Sequence, residues 1–201
     1  MEDVVRLFIN SGSPFARKCR ILVREMGLTD RVEDVPTVTL DSAPEHVAVN
    51  PFAQIPALVT DHGALIDSTL ICEWLAAHYG PYPLYPEGEA QWAARQAEAL
   101  ADGVLETAVK MVIEHRRPEH ERSATWLKRW EEGLRRALKA VDGLGVLSDA
   151  PPGLAEITLA SAATYIDFRF PQLDWHAEAP RLVALRDQLE KRQSFIDTYP
   201  A

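Results

Sequence analysis

The segment PYPLYPEG, residues 81–88, separates two textures in the chain. Before it, short apolar runs alternate with helical stripes. After it, every apolar pattern has a helical period. Three prolines in eight residues interrupt either kind of element, so the segment reads as a linker between two structural regions.

In the first region, VVRLFI (residues 4–9) is β-branched and apolar and reads as a buried strand. From Phe15 the apolar positions Phe15, Cys19, Leu22, Val23 and Met26 make one helical stripe, which Gly27 stops. RVEDVPTVT (31–39) reads as a second strand that Pro36 confines to an edge. ALVT (57–60) and ALI (64–66) flank Asp61-His62-Gly63, a hairpin signal. Ser68 reads as the N-cap of a helix that carries Leu70, Ile71, Trp74, Leu75 and Tyr79 and closes at Gly80.

In the second region, Leu100, Val104, Ala108, Met111 and His115 share a helical period. So do Trp126, Leu127, Trp130, Leu134, Leu138 and Val141. DAPPG (149–153) breaks the pattern. LAEITLASAATYIDF (154–168) is apolar on nearly every side, as a helix inside a bundle must be. A last stripe, Leu182, Leu185 and Leu189, ends near Phe195. The expectation is an α/β region over 1–80, a linker over 81–88 and an all-helical region over 89–201.

Bulk properties narrow the function. A chain of 201 residues, 47% hydrophobic and 25% charged, is an ordinary globular protein with a substantial core. A net charge of −9 argues against nucleic acid or an anionic membrane surface as partner. HRRPEHER (115–122) reads as a solvated helix end and loop. Cys19 and Cys72 make no disulfide framework and read as buried free thiols of a reducing compartment. The N-terminal MEDVVRLFIN lacks the pattern of a signal peptide, and no apolar run is long enough to cross a bilayer. A cytoplasmic location is expected.

Three short segments carry chemistry. In NSGSPFARK (10–18), Ser13 is placed as a helix N-cap with Pro14 at the first helical position. A helix N-terminus favours an anion, and a serine there can donate a hydrogen bond to it. A free thiol ionises near about 8.5, so half-ionisation at pH 7 requires about 2 kcal/mol. One hydrogen bond to a charged group supplies roughly 1.5–3 kcal/mol, enough to hold a thiolate brought to Ser13. In AQIPALV (53–59), Pro56 opens a strand behind a rigid turn, where a cis Ile55–Pro56 bond would fit and the Ile55 backbone is left to pair with an extended peptide. In ALIDSTLICEWL (64–75), Ser68 repeats the anion-binding cap and Asp67 offers a carboxylate to an ammonium group. Each segment alone is better explained by plain capping or an edge strand.

Taken in order, SPFARK (13–18), NPFAQIPAL (50–58), LIDSTLICEWLAAHYG (65–80), EALADGVLE (98–106) and GLAEITLASAATYIDF (153–168) resemble the glutathione transferase superfamily over nearly the whole chain, and within it the small bacterial YibF-like branch. The resemblance implies a thioredoxin-like N-terminal domain that binds glutathione, an all-helical C-terminal domain, a small electrophilic substrate and a homodimer. It implies no metal. By position, Ser13 would stabilise the glutathione thiolate, with Ser11 in reserve and Phe15 near the sulfur. Ile55, beside Pro56, would pair its backbone with the cysteinyl unit; Asp67 and Ser68 would hold the γ-glutamyl end and Gln54 the glycyl carboxylate. Asp102 is a candidate to reach the γ-glutamyl amine across a dimer. Phe15, Val104, Thr107, Met111, Tyr165, Phe168 and Phe195 are candidates to line the electrophile pocket, and a core role suits each of them.

There are departures from the family pattern. Asp67 stands where glutamate is common. No Lys or Arg lies between Thr37 and Gln54, which leaves His46 as the only cation for the glycyl carboxylate. Gly153 and Glu156 replace the usual capping box of the buried helix, with glycine the poorer cap. Two functions follow. One is an enzyme that activates the thiolate for conjugation to a hydrophobic electrophile, as in detoxification, or for reduction of a peroxide. The other is a glutathione-binding or protein-interaction module with little or no turnover. Serine in place of cysteine argues against a covalent enzyme–glutathione intermediate. A metal site at Glu114, His115, Glu119 and His120 is disfavoured by Pro118.

Overall fold

The computed structural model describes residues 4–144 and 151–201. The first three residues of the N-terminal stretch, and Asp149 and Ala150 of the DAPPG break, lie outside the described residues. The elements are β1 (Val5–Ile9), α1 (Pro14–Glu25), β2 (Val32–Pro36), α2 (Pro44–Val49), β3 (Ala57–Thr60), β4 (Gly63–Ile66), α3 (Ser68–Tyr79), α4 (Ala90–His115), α5 (Ala124–Asp142), α6 (Leu154–Arg169), α7 (Pro180–Leu189) and α8 (Gln193–Ile196). They form two compact units. One comprises Met1–Leu84 with Arg192–Ala201, the other Tyr85–Lys191.

The first unit is built on a sheet of order β2-β1-β3-β4. β1 and β2 are parallel; β1–β3 and β3–β4 are antiparallel. Pro36, which has no N–H to give a ladder, ends the edge strand β2, as its chemistry requires. The β3–β4 hairpin closes with Thr60 opposite Gly63, whose φ of +118° suits a residue without a side chain. α1 stops through Met26 and Gly27, the latter at φ +67°. The core is made by Leu7 and Leu58 of the sheet, Ile21 and Leu22 of α1, and Ile71 and Leu75 of α3, all fully buried. Cys19 and Cys72 are free thiols buried between α1 and α3, with their sulfurs 3.8 Å apart.

The second unit is all helix among the described residues. Every residue of α6 from Leu154 to Ile166 is buried except Glu156, because α4 and α7 pack on it. That is why its sequence shows no polar face. Gly153 is the N-cap of α6 and supplies no side-chain hydrogen bond. Past the far end of the core, Asp167 accepts from Trp175 Nε1 (2.8 Å) and lies 3.1 Å from His176 Nε2, and it pairs with Arg186. This hub ties α6 to α7 and to the short turn before it. No helix among the described residues is long and apolar enough to cross a membrane.

Candidate functional site

Strand register brings the three chemical segments to one end of the first unit's sheet. One step past the Phe8–Ala57 pair lie Ile9 and Pro56. One step past the Ala57–Ile66 pair lie Pro56 and Asp67. The loop carrying Ser13, the turn carrying Gln54 and Ile55, and the start of α3 therefore leave the sheet side by side. Two contacts join the second turn of α1 to the first turn of α3 more directly: Cys19 Sγ donates to Ser68 O at 3.6 Å, and Lys18 Nζ donates to Thr69 Oγ1 at 3.0 Å.

Ser13 is the N-cap of α1, in an extended conformation (φ −90°, ψ 120°), with Pro14 at the first helical position. Its Oγ accepts from Ala16 N at 3.2 Å, so the oxygen is fixed while the hydroxyl hydrogen has no acceptor among the described residues. The loop before it is an Asx turn, in which Gly12 N donates to Asn10 Oδ1 at 2.9 Å. Ser11 is more exposed, and its Oγ lies 3.5 Å from Ala201 O. Phe15 is half-buried in the first turn of α1.

The Ile55–Pro56 peptide is cis. The turn before it is braced from beneath. Asn50 Nδ2 donates to Gln54 O at 2.7 Å, and Asn50 Oδ1 accepts from Phe52 N at 3.0 Å. His46 Nε2 also reaches Gln54 O, at 3.1 Å. A carbonyl only accepts, so Nε2 carries the proton. His46 is 1% exposed and stacks on Phe8, with ring centroids 6.0 Å apart. This corrects its expected part as the cation for a glycyl carboxylate. The six-residue helix α2, which periodicity did not reveal, turns His46 inward. Asn50 and His46 are thus supports that motif reasoning missed. The one available signal was Asn50 before Pro51, a turn-forming pair. The side chain of Gln54 itself is exposed.

At α3 the cap is Asp67, not Ser68. Asp67 Oδ1 accepts from Thr69 N (2.9 Å) and Leu70 N (3.0 Å), and Ser68 is the first helical residue and buried. The reason is a backbone conformation that no pattern discloses: Asp67 sits at φ +77°, ψ 127°. Such a conformation costs of order 1–3 kcal/mol and persists where surrounding contacts over-determine it. Asp67 Oδ2 has no partner among the described residues.

Of the apolar candidates for an electrophile pocket, Val104, Met111 and Tyr165 are buried in the second unit and Phe195 is fully buried in the first. Burial pushes the Tyr165 hydroxyl up, against a partial opposing pull from Arg169 and Arg116. Phe15, Thr107 and Phe168 are partly exposed. Asp102 is half-buried on α4. Glu114 is engaged by Ser123 N at 2.7 Å, and no group of three metal-ligating side chains occurs among the described residues.

A four-stranded mixed sheet with a cis-proline turn beside two capped helix N-termini is a thioredoxin-like unit, and with an all-helical second unit it has the glutathione transferase fold. Residues 12–78 match the glutathione S-transferase N-terminal domain family, and residues 124–188 match the C-terminal domain family. The Escherichia coli K12 protein described as the uncharacterized GST-like protein YibF is 34% identical over 195 residues, 94% of this chain and 95% of that one. A glutathione S-transferase of Methylobacterium radiotolerans, solved with glutathione sulfonate, is 36% identical over 98% of this chain and 94% of its own, at a TM-score of 0.87. A glutathione transferase family member of Pseudomonas fluorescens Pf-5, solved with bound glutathione, is 32% identical over 98% and 99%, at a TM-score of 0.91. The chain belongs to the glutathione S-transferase family.

Proposed function

We propose that the first unit binds glutathione where the Ser13 loop, the Ile55–Pro56 turn and Asp67 meet, and that the bound thiolate attacks a hydrophobic electrophile or a peroxide oxygen. The observation that carries this reading is the Ser13 hydroxyl, whose oxygen is held by Ala16 N while its hydrogen remains available to donate to a thiolate. Glutathione in the Pseudomonas fluorescens relative and glutathione sulfonate in the Methylobacterium radiotolerans relative support the choice of ligand.

The remaining roles follow from the chemistry of each position. Ile55 pairs its backbone with the cysteinyl unit, held in place by the braced Gln54 carbonyl and Pro56. Asp67 uses Oδ1 for the cap and turns Oδ2 to the γ-glutamyl ammonium. The α3 N-terminus at Ser68 receives the γ-glutamyl carboxylate. Gln54 donates to the glycyl carboxylate, and Phe15 flanks the sulfur. Ser13 acts as a donor and not as a nucleophile. Exposed Phe52 (71%) and Leu70 (46%) suit the subunit contact of a homodimer. A small hydrophobic electrophile, a cytoplasmic setting and a detoxifying role complete the proposal.

A second reading, a glutathione-binding or interaction module with little turnover, is favoured by one observation. With His46 buried, residues 38–53 offer no exposed cation to a glycyl carboxylate. Calorimetric titration with glutathione at pH 7, followed by turnover on a panel of aryl halides, epoxides and hydroperoxides, decides between them. Binding with turnover that Ser13→Ala lowers supports the enzyme. Binding without turnover supports the module. Absence of binding refutes the enzyme and the glutathione-binding module, and leaves the interaction module as the better reading.

A further inference from the structure

We propose that Arg17 is a positioning residue for the thiol site, acting through residues 192–201 as a strap along α1. This rests on the glutathione reading above. Arg17 is 2% exposed. Its backbone N–H closes the first turn of α1 by donating to Ser13 O at 3.0 Å. Its guanidinium reaches across 181 residues of sequence, with Nε donating to Thr198 O at 3.1 Å, and Nη2 donates to Phe195 O at 3.2 Å. It also lies 5.7 Å from the Phe195 ring centroid and 5.6 Å from that of Tyr199. One side chain therefore holds two carbonyls and two aromatic faces of the strap, one turn below the residue that meets the thiol.

The strap is fixed at three levels. At the far end of α1, Arg192 grips Glu25 with two hydrogen bonds of 2.9 and 2.6 Å, and Ser194 Oγ donates to the same carboxylate. In the middle stands Arg17, with Thr198 Oγ1 bonded to Ser194 O at 2.8 Å to stiffen the turn it grips. At the near end, Ser11 Oγ meets Ala201 O at 3.5 Å. The last contact engages the reserve serine of the Ser13 loop and leaves Ser13 as the hydroxyl with a free hydrogen. Lysine has one ammonium in place of the planar fork whose Nε and Nη2 bond the two carbonyls, so it replaces Arg17 only in part. Loosening the strap lets the first turn of α1 and its loop shift. A hydrogen bond to a thiolate is steep in distance and angle, so the thiol responds more than the subsites on α3 and the Pro56 turn.

The test is the ionisation of bound glutathione, followed by thiolate absorbance against pH, alongside the affinity for S-methylglutathione, which has no ionisable thiol. In Arg17→Met the ionisation of the bound thiol moves up by about one pH unit, a roughly tenfold drop in the ratio of thiolate to thiol. S-methylglutathione affinity stays within about threefold, because the contacts outside the thiol are spared. Arg17→Lys falls between the two proteins. A merely structural role would lower stability and both affinities together and leave the ionisation of the bound thiol in place. Should Arg17→Met not fold, Tyr199→Ala removes one ring from the guanidinium with the arginine kept, and a smaller shift in the same direction is expected. If the wild type holds a thiolate and neither Arg17→Lys nor Tyr199→Ala moves its ionisation, the positioning role is overturned and the glutathione reading stands. If the wild type binds no glutathione, both fall.

Discussion

Asp67 caps α3 and is proposed to bind the γ-glutamyl ammonium, and substitution can separate the two. Its Oδ1 caps α3 through Thr69 N and Leu70 N, and its backbone stands at φ +77°. Asp67→Ala loses a cap worth about 1 kcal/mol and keeps the backbone strain that Asp67 already bears, so a loss of about 1 kcal/mol is expected. Asp67→Gly loses the same cap but relieves the backbone, and stays within about 1 kcal/mol of the wild type. Asp67→Asn keeps both the acceptor and the tolerance of positive φ, and is expected within about 0.5 kcal/mol. The carboxylate charge is lost in all three. An ammonium bonded to Oδ2 would then bind more weakly by about 1–2 kcal/mol, roughly tenfold in affinity for glutathione. Urea unfolding of the ligand-free protein gives the first quantity and calorimetric titration the second. Two results refute the reasoning: Asp67→Gly as unstable as Asp67→Ala, or Asp67→Asn binding glutathione as tightly as the wild type.

Asn50→Ala deletes two hydrogen bonds beneath the Pro56 turn at a buried position; a loss of about 1–3 kcal/mol is expected in urea unfolding, with glutathione affinity lowered in parallel. Burial pushes the Glu25 carboxyl up, but hydrogen bonds from Arg192 and Ser194 and the Arg192 charge outweigh it and hold the group below its ordinary value of 4.5. The stabilisation is thus present above that value and is lost as the pH falls through the lower folded value. Acid unfolding monitored on the wild type and Glu25→Gln is expected to show that component only in the wild type. Asp167→Asn breaks the Arg186 ion pair in the second unit and is expected to cost about 1–3 kcal/mol in unfolding while glutathione affinity at the first unit is unchanged.

Much of the fold was legible because its signals are local. The strand before Ser13, the stripe from Phe15 and the hairpin about His62 each depend on neighbours within a few residues, and all appear in the structure. The uniform apolarity of residues 154–168 was equally direct, since a helix surrounded by others has no face left for water. The site was legible in residue types but not in conformation. Ser68 reads as the cap because serine is a good one; the positive φ that hands the cap to Asp67 lies where β4 joins α3. His46 carried a plausible charge in sequence, but the short α2 that buries it is too brief to show a periodicity. Phe195, at the end of the last stripe, is in sequence a candidate either for the pocket or for the core, and the structure buries it fully. Residues 192–201 group with the first unit, on α1, through contacts that span nearly the whole chain.

The proposed role of Ser13 is to hold a glutathione thiolate. The most direct measurement is the thiolate absorbance of glutathione bound at pH 7 to the wild type and to Ser13→Ala, with S-methylglutathione affinity measured on both. A thiolate is expected on the wild type, reduced by roughly tenfold or more in Ser13→Ala, with S-methylglutathione bound alike by the two proteins. A thiolate of equal strength on both proteins, or no glutathione bound to the wild type, would contradict that role.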